Sequence, residues 1–282
     1  MHPVWMKRHP VATYFALAYA ISWAIGVPLA LQAQGVTQTH LPFALHYLTA
    51  FGPALAGLAI AFMLGEPLAG ARAQTSAPLH HRVPWWIVGF GSPLLMFTAA
   101  QFVARVAGQQ PPSWQALGQV HFLPELGLTA WCLWFATSGC GEEIGWRGFL
   151  LPRLQEHHSP LRSSALLTIG WAAWHIPAFF YIPGYAALGL LILPGFFFSL
   201  FAGAVVLTWL YNVSGGSVMP AILWHASFNF VTASPAVAGL TAGVTSMFVV
   251  AWAVAVLVGG GLRRGRPSRP APYTSRPTER PL

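Results

Sequence analysis

Residues 124–148 read PELGLTAWCLWFATSGCGEEIGWRG, an almost uncharged apolar run that ends in the adjacent carboxylates Glu142 and Glu143, with Arg147 four residues after the second. The chain contains no Asp, and its other acids are Glu66, Glu125, Glu156 and Glu279. Two of its six carboxylates therefore stand side by side at the edge of an oily segment. Ionisable groups at membrane depth are costly and mark functional sites by default. The same stretch reads as a membrane span and as the first place to look for chemistry.

Outward from it, the composition agrees. The 282 residues are 55% hydrophobic and 7% charged, with 13 Trp and 19 Phe, against roughly 25% charged residues in an ordinary soluble domain. Too few polar side chains exist to cover a water-exposed surface. Eight apolar spans can be drawn, over 11–31, 43–64, 85–106, 124–141, 163–182, 186–211, 218–233 and 240–259, each near the ~20 residues that cross a ~30 Å hydrocarbon core. The seventh is the shortest and carries polar groups. Continuous apolar runs without period-two alternation exclude a membrane barrel. The expected fold is all-α, a polytopic membrane bundle of about eight transmembrane helices. It divides into a cytoplasmic N-terminus (1–10), N-terminal helices (11–123), a core with the last helix (124–259) and a disordered Arg/Pro-rich cytoplasmic tail (260–282).

The net charge of +8 does not form a nucleic-acid-binding face. With the N-terminus inside, Lys7, Arg8, Arg72, Arg82, Arg147, Arg153, Arg162 and the six arginines from Arg263 to Arg280 fall on the cytoplasmic side, and Arg105 alone falls outside. That separation follows the positive-inside rule and requires an even number of crossings, so both termini are expected in the cytoplasm. The first span, 21 apolar residues with no small-x-small cleavage site, reads as an uncleaved anchor. Cys132 and Cys140 lie on different faces of one helix, too far apart for a bridge, and read as small core residues.

Most of the histidines lie in loops or tails, and His46 reads as interfacial. His175 and His225 lie well inside apolar spans. Trp171, one turn before His175, can wall its imidazole from lipid. Pro177 loosens the backbone close by, as happens where membrane helices line cavities. His225 and Asn229 are spaced i, i+4 and project from one helical face. Glu143 and Arg147 share that spacing and can form an ion pair. Glu142, rotated ~100° away, is left free to take a proton. The bland alternative for the acidic pair is a charged helix end at the membrane surface.

Glu142-Glu143-x-x-x-Arg147, then Trp171-x-x-x-His175, then His225-x-x-x-Asn229 resemble the three motifs of the CPBP family, the CAAX prenyl endopeptidases and bacteriocin-processing or immunity (Abi) proteins. The resemblance covers roughly residues 124–233. Its first motif extends through Gly148-Phe149-Leu150-Leu151-Pro152, and Trp171 stands where Phe is commonest. It implies an eight-helix intramembrane endopeptidase of the CAAX prenyl protease 2 kind in the cell membrane, with its site opening towards the cytoplasm. Carried over by position, Glu142 and His175 would hold and activate the attacking water, and His225 and Asn229 would stabilise the oxyanion. Glu143, Arg147 and Trp171 would support them.

No cofactor is required on this reading. Zinc is the open alternative, with Glu142, His175 and His225 as candidate ligands, although a catalytic zinc usually takes three protein ligands and the His-Glu-x-x-His helix is absent. Expected partners are a peptide or protein substrate at the membrane, a prenylated CAAX tail or a leader peptide, and the lipid bilayer, with no nucleic acid. A non-catalytic immunity or scaffold protein is the rival from another class. A proton-coupled transporter is a weaker rival, because the polar residues gather in the second half and no repeat pairs the halves.

Overall fold

The computed structural model describes residues 4–66, 68, 79–110, 113–120 and 126–264, and every regular element among them is helical. Eight helices make the bundle: α1 (Pro10–Ala33), α2 (Phe43–Leu64), α3 (Leu79–Val106), α4 (130–157), α5 (Pro160–Trp174), α6 (Leu193–Val213), α7 (Met219–Thr232) and α8 (Gly239–Val258). Five of them, α1, α2, α3, α6 and α8, are long and apolar enough to cross a membrane by themselves. The other three, α4, α5 and α7, hold the candidate site residues, with His175 at the C-cap of α5. Their polar content is tolerable because they are enclosed: α7 packs against α3, α4 and α6, and α4 packs between α2 and α7.

Several boundaries differ from the sequence reading. The fourth helix does not stop at 141. It continues to His157, so the carboxylate pair lies in mid-helix and not at a helix end. The fifth α-helix ends at Trp174, and a 3₁₀ turn, Ile176–Phe180, replaces its last part. Pro177 explains this, since it cannot donate a backbone N–H and its ring disfavours a helical His175–Ile176 continuation. The third helix begins earlier, at Leu79, and the sixth later, at Leu193. Residues 265–282 of the expected tail lie outside the described residues, while Gly261–Arg264 form one helical turn. Cys132 is exposed on the surface of α4 and is not a core residue.

Within α4 the hydrogen bonding widens twice, to π turns over Phe135–Glu142 and Trp146–Leu150, on either side of a short α segment, Glu143–Gly145. Such widened turns are rare and recur at functional sites. The glycines of this run let neighbouring backbones approach. A Cβ on Gly141 would lie 2.7 Å from the Ala50 carbonyl oxygen, and one on Gly145 would lie 2.3 Å from the Pro53 carbonyl and 2.6 Å from the Tyr14 hydroxyl. Small residues at such crossings are how membrane helices pack closely. Gly145→Ala should therefore cost about 1–3 kcal/mol by overpacking, read as a lower unfolding temperature in detergent. An unchanged temperature would mean that α2 and α4 do not meet this closely.

The apolar core is concentrated in the half of the bundle that holds the start of α1. Tyr14, Ile60, Trp146, Phe149, Leu150, Leu207 and Leu210 are all fully buried there. At the same end Arg153 pairs with Glu66 at 2.8 Å, beside Arg8, Glu156 and His157.

Candidate active site

Each of the three enclosed helices delivers a pair of polar side chains to one level of the bundle. On α4, Glu143 and Arg147 are fully buried and joined by a 2.7 Å ion pair between Arg147 Nη1 and Glu143 Oε1, as their i, i+4 spacing predicts. Arg147 is thus not a loop charge at the cytoplasmic surface, and a charged helix end in contact with water does not describe the acidic pair. The same Oε1 lies 2.7 Å from Nδ1 of His225, which α7 brings in from 82 residues away. One carboxylate oxygen therefore organises both an arginine and an imidazole.

Glu142 takes the neighbouring direction. It is 5% exposed, and its Oε2 accepts a 2.8 Å hydrogen bond from Nε1 of Trp171. Trp171 does more than wall off His175: its ring also lies under the Arg147 guanidinium at 4.7 Å and edge-on to His225 at 5.4 Å. It touches members of all three motifs. His175 caps α5, and its Nδ1 lies 2.8 Å from the Trp171 carbonyl oxygen, which fixes the ring and leaves Nε2 for other partners.

A cavity of about 460 Å³ stands over this layer. Glu142, His175 and Asn229 line it together. His225 is not among its lining residues and sits behind them, against Glu143. The i, i+4 pair on α7 is thus divided between the cavity wall and the support behind it. Two further lining residues escaped the sequence reading. His46 on α2 has a partner inside the bundle: its Nδ1 lies 2.8 Å from the Tyr181 hydroxyl, and both residues line the cavity. Only a polar residue inside an apolar span hinted at His46, and nothing local hinted at Tyr181. Ser22 ties three helices at the cavity wall by accepting from Trp174 Nε1 at 2.7 Å and donating to the Thr49 carbonyl at 2.7 Å.

Among the described residues, no three His, Cys, Asp or Glu side chains are grouped so as to hold a metal ion. The zinc candidates Glu142, His175 and His225 are neighbours but do not form such a group.

The cavity also has a definite direction. Its lining comes from the later half of α1, the first turns of α2, the first half of the run through α4, the end of α5 with the turns after it, and the end of α7. It reaches the surface at Pro183, Gly184 and Ala233, which are exposed. This is the end of the bundle away from Arg8, Glu66 and Arg153. Cytoplasmic termini and a site opening towards the cytoplasm are therefore mutually exclusive in this fold.

Comparison with known proteins finds similarity over the region that carries these residues. The family described as Type II CAAX prenyl endopeptidase Rce1-like matches over residues 124–231. A protein of Methanococcus maripaludis named CAAX prenyl protease 2 is 31% identical over 96 residues, covering 31% of this chain and 34% of that protein. The aligned stretch thus spans about a third of that relative. Six of the seven residues of the three motifs come together around Trp171 and the Glu142–Glu143 pair, the seventh, Asn229, lines the cavity above, and all seven fall inside the matched region. Over residues 124–231 this chain is similar to the Type II CAAX prenyl endopeptidase Rce1-like family.

Proposed function

We propose that the protein is an intramembrane endopeptidase that hydrolyses a peptide bond of a membrane-associated substrate with a water activated by Glu142, its catalytic core lying within 124–259. The observation that carries this reading is a buried carboxylate, held by an indole N–H, that faces a cavity together with an imidazole and an amide. A general base must reach the proton that it removes, and Glu142 is the one carboxylate among the described residues that line that cavity. His175, its ring fixed through Nδ1, presents Nε2 to the same water.

The attack places negative charge on the former carbonyl oxygen, and preorganised donors are what such a site must supply. Asn229 offers its amide N–H from the cavity wall. His225 stands behind that wall, held by Glu143 through Nδ1, and supports the helix that carries Asn229. Glu143 and Arg147 do not touch substrate. They hold His225 and, through the Arg147–Trp171 stack, the donor to Glu142. No metal enters these steps, and metal analysis of the purified protein distinguishes them from a zinc-bound water.

The indole gives a sharp internal test. Trp171→Phe keeps an aromatic ring over Arg147 but removes the donor to Glu142. A hydrogen bond to a charged group contributes about 1.5–3 kcal/mol, so turnover should fall about tenfold or more while the protein level holds. A Phe variant that turns over at the parental rate would mean that the bond does not position Glu142.

The reading as a whole is tested by comparing peptide ends in membranes that carry the parent protein or Glu142→Gln. Ends that appear with Glu142 alone identify the substrate. Their complete absence, in membranes where the protein is abundant, would favour the non-catalytic immunity or scaffold role.

A further inference from the structure

Three features of the molecule bear on which side of the membrane the substrate comes from. The first is the direction of the cavity, which leads from Glu142 to the end where Pro183, Gly184 and Ala233 are exposed. The second is what lies on the other side of Glu142. Tyr14, Trp146, Phe149, Leu150 and Ile60 fill the bundle there without residual exposure, and the separate polar recess at Arg8, Glu66 and Arg153 shares no lining residue with the cavity. A peptide cannot approach the carboxylate through that packed half.

The third is charge. The segments joining helices at the cavity end, 34–42, 107–129, 182–192 and 233–238, contain no Lys or Arg, and Arg105 is the sole basic residue near them. With Arg147 buried inside the bundle, the other described basic residues, Lys7, Arg8, Arg82, Arg153, Arg162, Arg263 and Arg264, belong to the opposite end. Basic residues close to span ends are retained in the cytoplasm, and among the described residues all but Arg105 and the buried Arg147 stand on one side.

We infer that the cavity above Glu142 opens to the non-cytoplasmic side of the membrane, and that its substrate is a membrane-anchored peptide whose cleavable segment is presented from that side. The substrate half of this statement rests on the peptidase reading above; the orientation does not. Among the described residues the wall is mostly aromatic and apolar, with Glu142 its single carboxylate and no Lys or Arg. It suits a weakly charged stretch of peptide, such as a translocated segment next to its own membrane anchor. A cytoplasmic lipid-modified tail would meet the packed, basic end instead.

Impermeant thiol labelling decides the orientation without requiring cleavage. In a background with Cys132→Ser and Cys140→Ser, Gly184→Cys and Ala233→Cys should react with a charged maleimide in intact cells. His157→Cys and Glu156→Cys should react only after the membrane is opened. Two positions at each end guard against one variant failing to fold. The reverse pattern, or labelling of both ends in intact cells, would overturn the inference. The ends that depend on Glu142 should also map to segments that protease added outside intact cells can remove. Glu142-dependent ends confined to cytoplasmic segments would overturn the substrate assignment even with outward labelling. If no such ends exist, the peptidase reading and the substrate assignment fail together, while the labelling still reports the direction of the cavity.

Discussion

Glu142→Gln should lower peptide-bond cleavage by about 10²–10⁴-fold, the usual contribution of a general base, and leave the protein in the membrane at its parental level. The structure explains why this substitution separates chemistry from folding. Glu142 Oε2 accepts the Trp171 indole N–H at 2.8 Å, and the amide oxygen of glutamine can accept the same bond. The new amide N–H₂ faces a cavity and not the packed core, so it is not stranded. Neither α4 nor α5 needs to move. Glu142→Ala is a poorer probe, because it leaves a buried indole donor unpaired at about 1–3 kcal/mol and so confuses a lost base with a loosened helix pair. Single-turnover cleavage and protein abundance, measured side by side, settle the assignment. A Gln variant that keeps near-parental turnover would sink the role of Glu142 as base.

What the sequence discloses and what it hides follow from the range of the interactions. Helix number was legible because hydropathy is a local property, and all eight apolar spans have a helix beneath them. The Glu143–Arg147 pair was legible because i, i+4 neighbours meet on any helix. The His225–Glu143 bond was not, since it depends on how α7 docks on α4. Trp171 read as a wall because an aromatic ring in an apolar span needs no further reason; its N–H matters only once Glu142 lies within 2.8 Å. The widened turns of α4 were hidden too, although Gly139, Gly141, Gly145 and Gly148 mark the stretch where its backbone is least constrained. Arg147 misled the charge count for a related reason: nothing in its immediate neighbours shows that α4 continues to His157 and encloses it.

That enclosure makes Arg147→Ala the variant with the largest expected effect on stability. Arg147 and Glu143 are both 0% exposed, and the carboxylate oxygen that accepts the Arg147 Nη1 bond also takes His225 Nδ1. Removing one partner of a buried ion pair typically costs about 3–5 kcal/mol, a large part of the roughly 5–15 kcal/mol by which domains are stable. The truncation also empties the space against the Trp171 ring, where the guanidinium lies 4.7 Å from the centroid. Abundance and unfolding temperature should both fall, and activity with them. Charge and volume can be separated with Glu143→Gln, Arg147→Gln, which removes both charges and keeps most of the bulk. Its abundance should recover towards that of the parent, because no buried charge is left alone. Its activity should not recover, since His225 has lost the carboxylate that orients it. An Arg147→Ala protein as abundant as the parent would refute the pairing as a support. A double variant no more abundant than Arg147→Ala would place the loss in packing against Trp171 and not in the unpaired charge of Glu143.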